Sequence, residues 1–141
     1  MTKKAAVIAV AMVLLAGCGG AAGGSAAAPT SAPGVGKVTK GADGVQEITL
    51  QTQDDYLFTP DHFTVAPGEV RLTVVNIGRE MTHNFRFTPD AGPAPIEKDI
   101  PLLAAGDEKT IDFTVEKPGD YPFECSFHVQ LGQVGTMTVS G

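Results

Sequence analysis

Two side chains near the carboxyl end stand at a spacing that does chemistry. In Tyr121-Pro122-Phe123-Glu124-Cys125-Ser126-Phe127-His128 a thiol and an imidazole lie three positions apart. If the segment leaving a strand turns there, the two can share one metal ion, since thiolate and imidazole are both strong donors to transition metals. The chain holds 3 His and 2 Cys in all, so a further imidazole must come from His62 or His83. His83 shares a strand face with Phe85 and Phe87. At His62, Phe63 and Val65 claim the inward face and leave the histidine pointing outward. His83 is therefore the expected third donor, and His62 a surface residue.

The elements that must position these residues are strands. Ile48 and Leu50 alternate with polar neighbours, as do Val70, Leu72 and Val74, then His83, Phe85 and Phe87. The same period of two recurs in Ile111, Phe113 and Val115, in Tyr121, Phe123 and Cys125, and in Gly135, Met137 and Val139. Turn chemistry separates the runs: Ala66-Pro67-Gly68, Asn76-Ile77-Gly78, Ala105-Gly106-Asp107 and Lys117-Pro118-Gly119-Asp120. The segment from Pro89 to Ala104, with Pro93, Pro95 and Pro101, reads as a surface loop. Six or seven short strands of this kind predict an all-β domain, a Greek-key sandwich or barrel over residues 45–141.

The amino end has a different character. Met1-Thr2-Lys3-Lys4 is positive, and Ala5 to Ala16 is uninterruptedly apolar. As a helix that run rises only about 18 Å, short of a hydrocarbon core of roughly 30 Å, so it reads as an export signal over residues 1–17. It ends in Leu15-Ala16-Gly17-Cys18, which resembles the lipobox of bacterial lipoproteins. That resemblance implies cleavage before Cys18, a lipidated Cys18 thiol and an anchored, extracytoplasmic protein. Residues 18–44, rich in Gly, Ala, Pro and Ser, are expected to form a flexible tether spanning about 25–30 Å. With Cys18 lipidated, Cys125 has no disulfide partner. An unpaired thiol outside the cytoplasm invites oxidation unless it is buried or occupied.

The formal net charge is −6, and loss of Lys3 and Lys4 with the leader makes it more negative. An acidic chain without clustered basic residues does not match nucleic acid, and membrane attachment must come from acyl chains on Cys18. No Ser-His-Asp set or phosphate-cradling loop occurs, and strand parity turns Glu124 away from Cys125, so no enzyme is expected.

From about Val45 to Gly141 the chain resembles the blue copper proteins of the plastocyanin, azurin and pseudoazurin kind, the cupredoxins. Three segments carry the resemblance: the Asn-x-Gly…His-Asn stretch from Asn76 to Asn84, the Pro-Gly-x-Tyr-x-Phe-x-Cys run from Pro118 to Cys125, and the Cys-x-x-His that follows. It implies one copper ion, cycling between Cu(I) and Cu(II), on His83, Cys125 and His128, with Asn84 bracing the loop that carries the cysteine. Single-electron exchange with redox partner proteins is the implied role, and a monomer is expected. One position departs from the family: the usual axial methionine, five residues after the second histidine, is Gln133 here. A glutamine there resembles stellacyanin-type sites and supplies a harder oxygen donor. Met137 falls on the inward face of the last strand as a core residue, and Met81 is expected as a loop contact. Phe127, Val129 and Leu131 flank His128 and are the candidate docking surface for a partner. The competing roles are binding, storage or delivery of copper or another metal, or partnership in metal uptake, disfavoured by the scarcity of methionine, and a zinc site, whose catalytic form needs a nearby general base.

Overall fold

The computed structural model describes residues 31–141. The signal segment 1–17, Cys18 and the beginning of the expected tether lie outside the described residues. Ten strands follow: β1 (Thr39–Lys40), β2 (Gln46–Thr52), β3 (Phe58–Thr59), β4 (His62–Val65), β5 (Gly68–Asn76), β6 (His83–Phe87), β7 (Asp99–Leu103), β8 (Glu108–Val115), β9 (Gly119–Glu124) and β10 (Val134–Val139). One sheet runs β1-β2-β5-β8, with β3 also on β2, and the other runs β4-β10-β9-β6-β7. Both sheets are mixed, because β2 pairs with β5 and β4 with β10 in parallel, whereas every other pairing between strands is antiparallel.

The alternation in the sequence becomes the core. Leu50, Leu72 and Val74 of the first sheet and Phe85, Phe123, Met137 and Val139 of the second are buried in one cluster. Aromatic rings tie the sheets together: Phe58 meets Phe123 at 5.4 Å and Phe87 meets Phe113 at 5.2 Å, both edge-on. Such pairs add about 0.5–1.5 kcal/mol each beyond the area they bury. Gly135 lies inward beside them, where a Cβ would overlap the Phe123 ring and the Asp61 carbonyl. Tyr121 fixes the entry to β9, its buried hydroxyl donating to the Lys117 carbonyl at 2.8 Å. Met137 is a fully buried core residue, as its parity implies.

Two boundaries differ from the sequence reading. The ordered domain does not start at Val45. Val35 bridges Thr49, the Ala32 N–H donates to Gln51 Oε1 at 2.8 Å, β1 pairs with β2, and Val38 packs on the core. Backbone pairing needs no apolar side chain, which is why a Gly-rich composition concealed it; within the described part of residues 18–44, Val35 and Thr39–Lys40 pair with β2 at the sheet edge. Nor is the segment from Pro89 to Ala104 wholly loop, since Asp99–Leu103 forms β7 against β6. This is an edge strand, where Pro101 needs no ladder partner for its missing N–H.

Candidate metal centre

Two segments, the start of β6 and the β9–β10 loop, deliver four polar side chains to one place. His83 opens β6, Cys125 directly follows β9, His128 precedes a 3-10 turn at Val129–Leu131, and Gln133 directly precedes β10. The loop from Cys125 to Gln133 is closed by backbone bonds, Cys125 N to Gln133 O at 3.0 Å and His128 N to Cys125 O at 3.1 Å. Gly132, at φ 91°, occupies the left-handed conformation that returns the chain toward the sheet.

The donor atoms of His83, Cys125 and His128 all lie within 4.8 Å of one another. Cys125 Sγ is 3.6 Å from His128 Nδ1, which is 3.3 Å from His83 Nδ1. Gln133 Oε1 closes the group at 2.9 Å from His83 Nδ1 and 3.1 Å from His128 Nδ1. His83, Cys125 and Gln133 are fully buried, and His128 is half-buried.

The hydrogen bonds leaving this cluster show what it is suited to hold. His83 Nε2 is 2.9 Å from the Gln53 carbonyl, which only accepts, so the neutral ring carries its proton there and turns a bare Nδ1 lone pair inward. Burial holds the His83 pKa below its ordinary value, which favours that neutral ring. Gln133 Nε2 donates outward to Thr52 Oγ1 at 2.7 Å and to the Leu57 carbonyl at 3.4 Å, so its oxygen also faces inward. Both lone pairs, on atoms 2.9 Å apart, face the same buried point and can donate to one cation placed there, or to a proton on His128 Nδ1 in its absence. The thiol of Cys125, a fourth potential donor, is unpaired with any cysteine among the described residues. This set is capable of coordinating a metal ion.

The expected residues are thus largely brought together. Asn84 braces the cysteine loop through Ser126, and its N–H points at Cys125 Sγ at 3.5 Å. Phe127 and Leu131 are 51% and 59% exposed, and Val129 is half-buried. His62 stays outside, exposed and 3.1 Å from the Asp61 carboxylate. The Met81 backbone is held in the adjoining loop, its N–H donating to Asp54 at 2.9 Å and its carbonyl accepting from Asn76 Nδ2 at 2.8 Å. Glu124 points away from Cys125, as parity implies, and is buried against Arg86 at 2.6 Å with Thr88 also donating to it. The sequence reading missed the β2–β3 loop altogether. Thr52, Gln53 and Leu57 hold His83 and Gln133 from behind, and Tyr56 sets its ring edge-on to His128 at 5.0 Å.

A family model described as a cupredoxin-like domain matches residues 7–139. The chain belongs to the cupredoxins. The minor plastocyanin isoform of Arabidopsis thaliana is 35% identical over 99 residues, covering 66% of this chain and 57% of that protein. The cupredoxin thus spans little more than half the length of that relative. The plastocyanin of Nostoc punctiforme is 36% identical over 104 residues, covering 67% of this chain and 73% of its own. Among solved structures, the dithionite-reduced auracyanin of Roseiflexus castenholzii aligns with a TM-score of 0.55 at 26% identity, covering 67% of this chain and 97% of that one. Kinship with plastocyanins and an auracyanin places this cupredoxin among non-enzymatic proteins.

Proposed function

We propose that this cupredoxin is an exported, lipid-anchored, monomeric type 1 copper protein that passes single electrons between redox partners at a membrane surface. The observation that carries the reading is the inward convergence of His83 Nδ1, His128 Nδ1, Cys125 Sγ and Gln133 Oε1, each held by the surrounding fold. Thiolate and imidazole suit Cu(I) and imidazole also suits Cu(II), so a copper ion bound there supplies a one-electron couple. One sheet and its loop carry the donors, and Thr52 and Gln53 at the end of the other sheet back Gln133 and His83. Such a frame would limit rearrangement between the two charge states of the ion. The half-buried His128, beside the exposed Phe127 and Leu131, offers the shortest way from the centre to a partner. Attachment through acyl chains on Cys18 would keep the domain at a membrane on the extracytoplasmic side.

Absorption spectroscopy and voltammetry of the purified protein with one copper equivalent test the reading. An intense thiolate-to-copper band with a reversible one-electron wave is expected; colourless binding of Cu(I) alone would replace electron transfer with storage or delivery. The anchor is tested separately. Cys18→Ser is expected to release the domain from membranes with its copper band intact, and retention after a high-salt wash would remove the anchor from the proposal.

A further inference from the structure

A carboxamide has two ends of nearly the same shape, and only hydrogen bonds decide which end faces a buried site. Gln133 is fully buried, and the bonds at its outer end come from the last residue of β2 and the loop that follows it. The Leu57 carbonyl, 3.4 Å from Nε2, can only accept and so rejects the oxygen end. Thr52 Oγ1 supplies the short bond, 2.7 Å, from the far side of the sandwich and 81 positions away in sequence.

Thr52 is itself held firmly. It is 1% exposed at the end of β2, it lies opposite Asn76 of β5 and Phe58 of β3, and its carbonyl accepts from Ile77 N at 2.9 Å. Its branched Cβ restricts χ1, so the hydroxyl cannot swing far from the amide. The next residue, Gln53, receives the His83 Nε2 proton, and Asp54 ties the loop to the backbone of Arg79 and Met81 at 2.8 and 2.9 Å. The loop therefore fixes an imidazole and an amide of the same centre at once.

We propose that Thr52 is the positioning residue of Gln133: while the Leu57 carbonyl selects the NH2 end of the amide, the Thr52 hydroxyl anchors that end and so keeps Oε1 toward His83 and His128, which sets the reduction potential of the copper-loaded protein. The proposal rests on the reading of Gln133 as the fourth donor. A hard oxygen kept close in both redox states favours Cu(II) and lowers the potential. Without Thr52 the amide keeps only its long bond to Leu57 and turns away from the softer Cu(I), which raises the potential.

The experiment compares Thr52→Val, which keeps the shape without the acceptor, with Thr52→Ser, which restores it, and with Gln133→Leu. Thr52→Ala is the second variant lacking the acceptor should the valine protein fail to fold. In the metal-free protein, exchange of the Gln133 side-chain amide protons, followed by NMR, is expected to quicken on the order of tenfold in Thr52→Val, as loss of one hydrogen bond implies. Thr52→Ser is expected to stay near the parent. In the copper-loaded protein, voltammetry is expected to show an upward shift for Thr52→Val, smaller than that for Gln133→Leu. Unchanged amide exchange in Thr52→Val overturns the proposal. A shift in Gln133→Leu with none in Thr52→Val overturns it too, while leaving Gln133 as a donor. No shift in Gln133→Leu means that the fourth-donor reading has failed, and the claim on the potential fails with it.

Discussion

Asn84 and Ser126 hold each other by two reciprocal bonds across the mouth of the cysteine loop. Asn84 Nδ2 donates to Ser126 Oγ at 2.6 Å, and Ser126 N donates to Asn84 Oδ1 at 2.7 Å. The pairing joins the start of β6, where His83 stands, to the residue directly after Cys125, so two donors of the centre are tied through their neighbours. Asn84→Ala leaves the Ser126 N–H without its partner in a largely buried place. A loss on the order of 2 kcal/mol in unfolding free energy of the metal-free protein is expected, measured by urea titration. The copper band of the loaded form is expected to shift as the cysteine loop relaxes.

The donor assignment separates His83 sharply from His62. Cys125→Ala removes the thiol of the cluster, and the thiolate-to-copper band is expected to vanish. His83→Ala takes away a fully buried donor and is expected to weaken copper binding and reshape the spectrum. His62→Ala, on an exposed residue paired with Asp61, is expected to leave the spectrum unchanged. Sensitivity to His62 together with indifference to His83 would overturn the assignment.

Asp54 gives the collar around the site a dependence on pH. Its exposed carboxylate accepts from the N–H groups of Arg79 at 2.8 Å, Met81 at 2.9 Å and Glu80 at 3.3 Å. Those bonds, the one from Arg79 foremost, hold its pKa below the ordinary 3.8. A carboxyl with a lowered folded-state pKa stabilises the fold above its unfolded-state value and loses that contribution as pH falls through the folded one. Asp54→Asn is therefore expected to be less stable than the parent at pH 7, with the gap closing as the solution is acidified past the ordinary carboxylate range. Urea midpoints for both proteins, taken stepwise downward from pH 7, check this. A gap that widens on acidification would contradict it.

What was legible in the sequence follows from where each constraint lies. Long strands with one buried face announce themselves by alternation, as at Val70, Leu72 and Val74. Cys125 and His128 declare a shared site because both stand on one short loop. The two-residue strand β3 is too short to show a period, β1 is paired by its backbone while exposed, and β7 carries a proline that an edge position tolerates. The β2–β3 loop was illegible for another reason. Thr52, Gln53 and Leu57 act through one hydroxyl and two backbone carbonyls on residues between 30 and 81 positions away. A carbonyl leaves no mark in a sequence, and Thr52 has the residue type of any strand position. Such contacts exist only once the parallel pairing of β2 with β5 has placed the loop over the site.

The apolar side chains around His128 have a role of their own if electrons pass there. Phe127 and Leu131 are more than half exposed, and Leu57, on the neighbouring loop, is 54% exposed, so none of them folds back into the core. Tyr56 and Phe127 bracket the His128 ring at 5.0 and 6.4 Å. Exposed apolar residues gathered about the half-buried His128 would give a partner a surface that dries on contact, with little area buried and fast release. Val129 follows His128 directly, on the 3-10 turn and away from the hydrogen bonds that hold the donors. Val129→Asp would force a carboxylate to lose water on docking, and a cost of roughly 1.4 kcal/mol slows exchange about tenfold. Electron exchange with a partner and self-exchange are both expected to slow, while the copper band and the reduction potential stay near those of the parent. Stopped-flow kinetics with a redox protein and NMR line broadening for self-exchange measure the two rates. If both survive the substitution, electrons leave through another face, and the apolar surface around His128 is not the docking site.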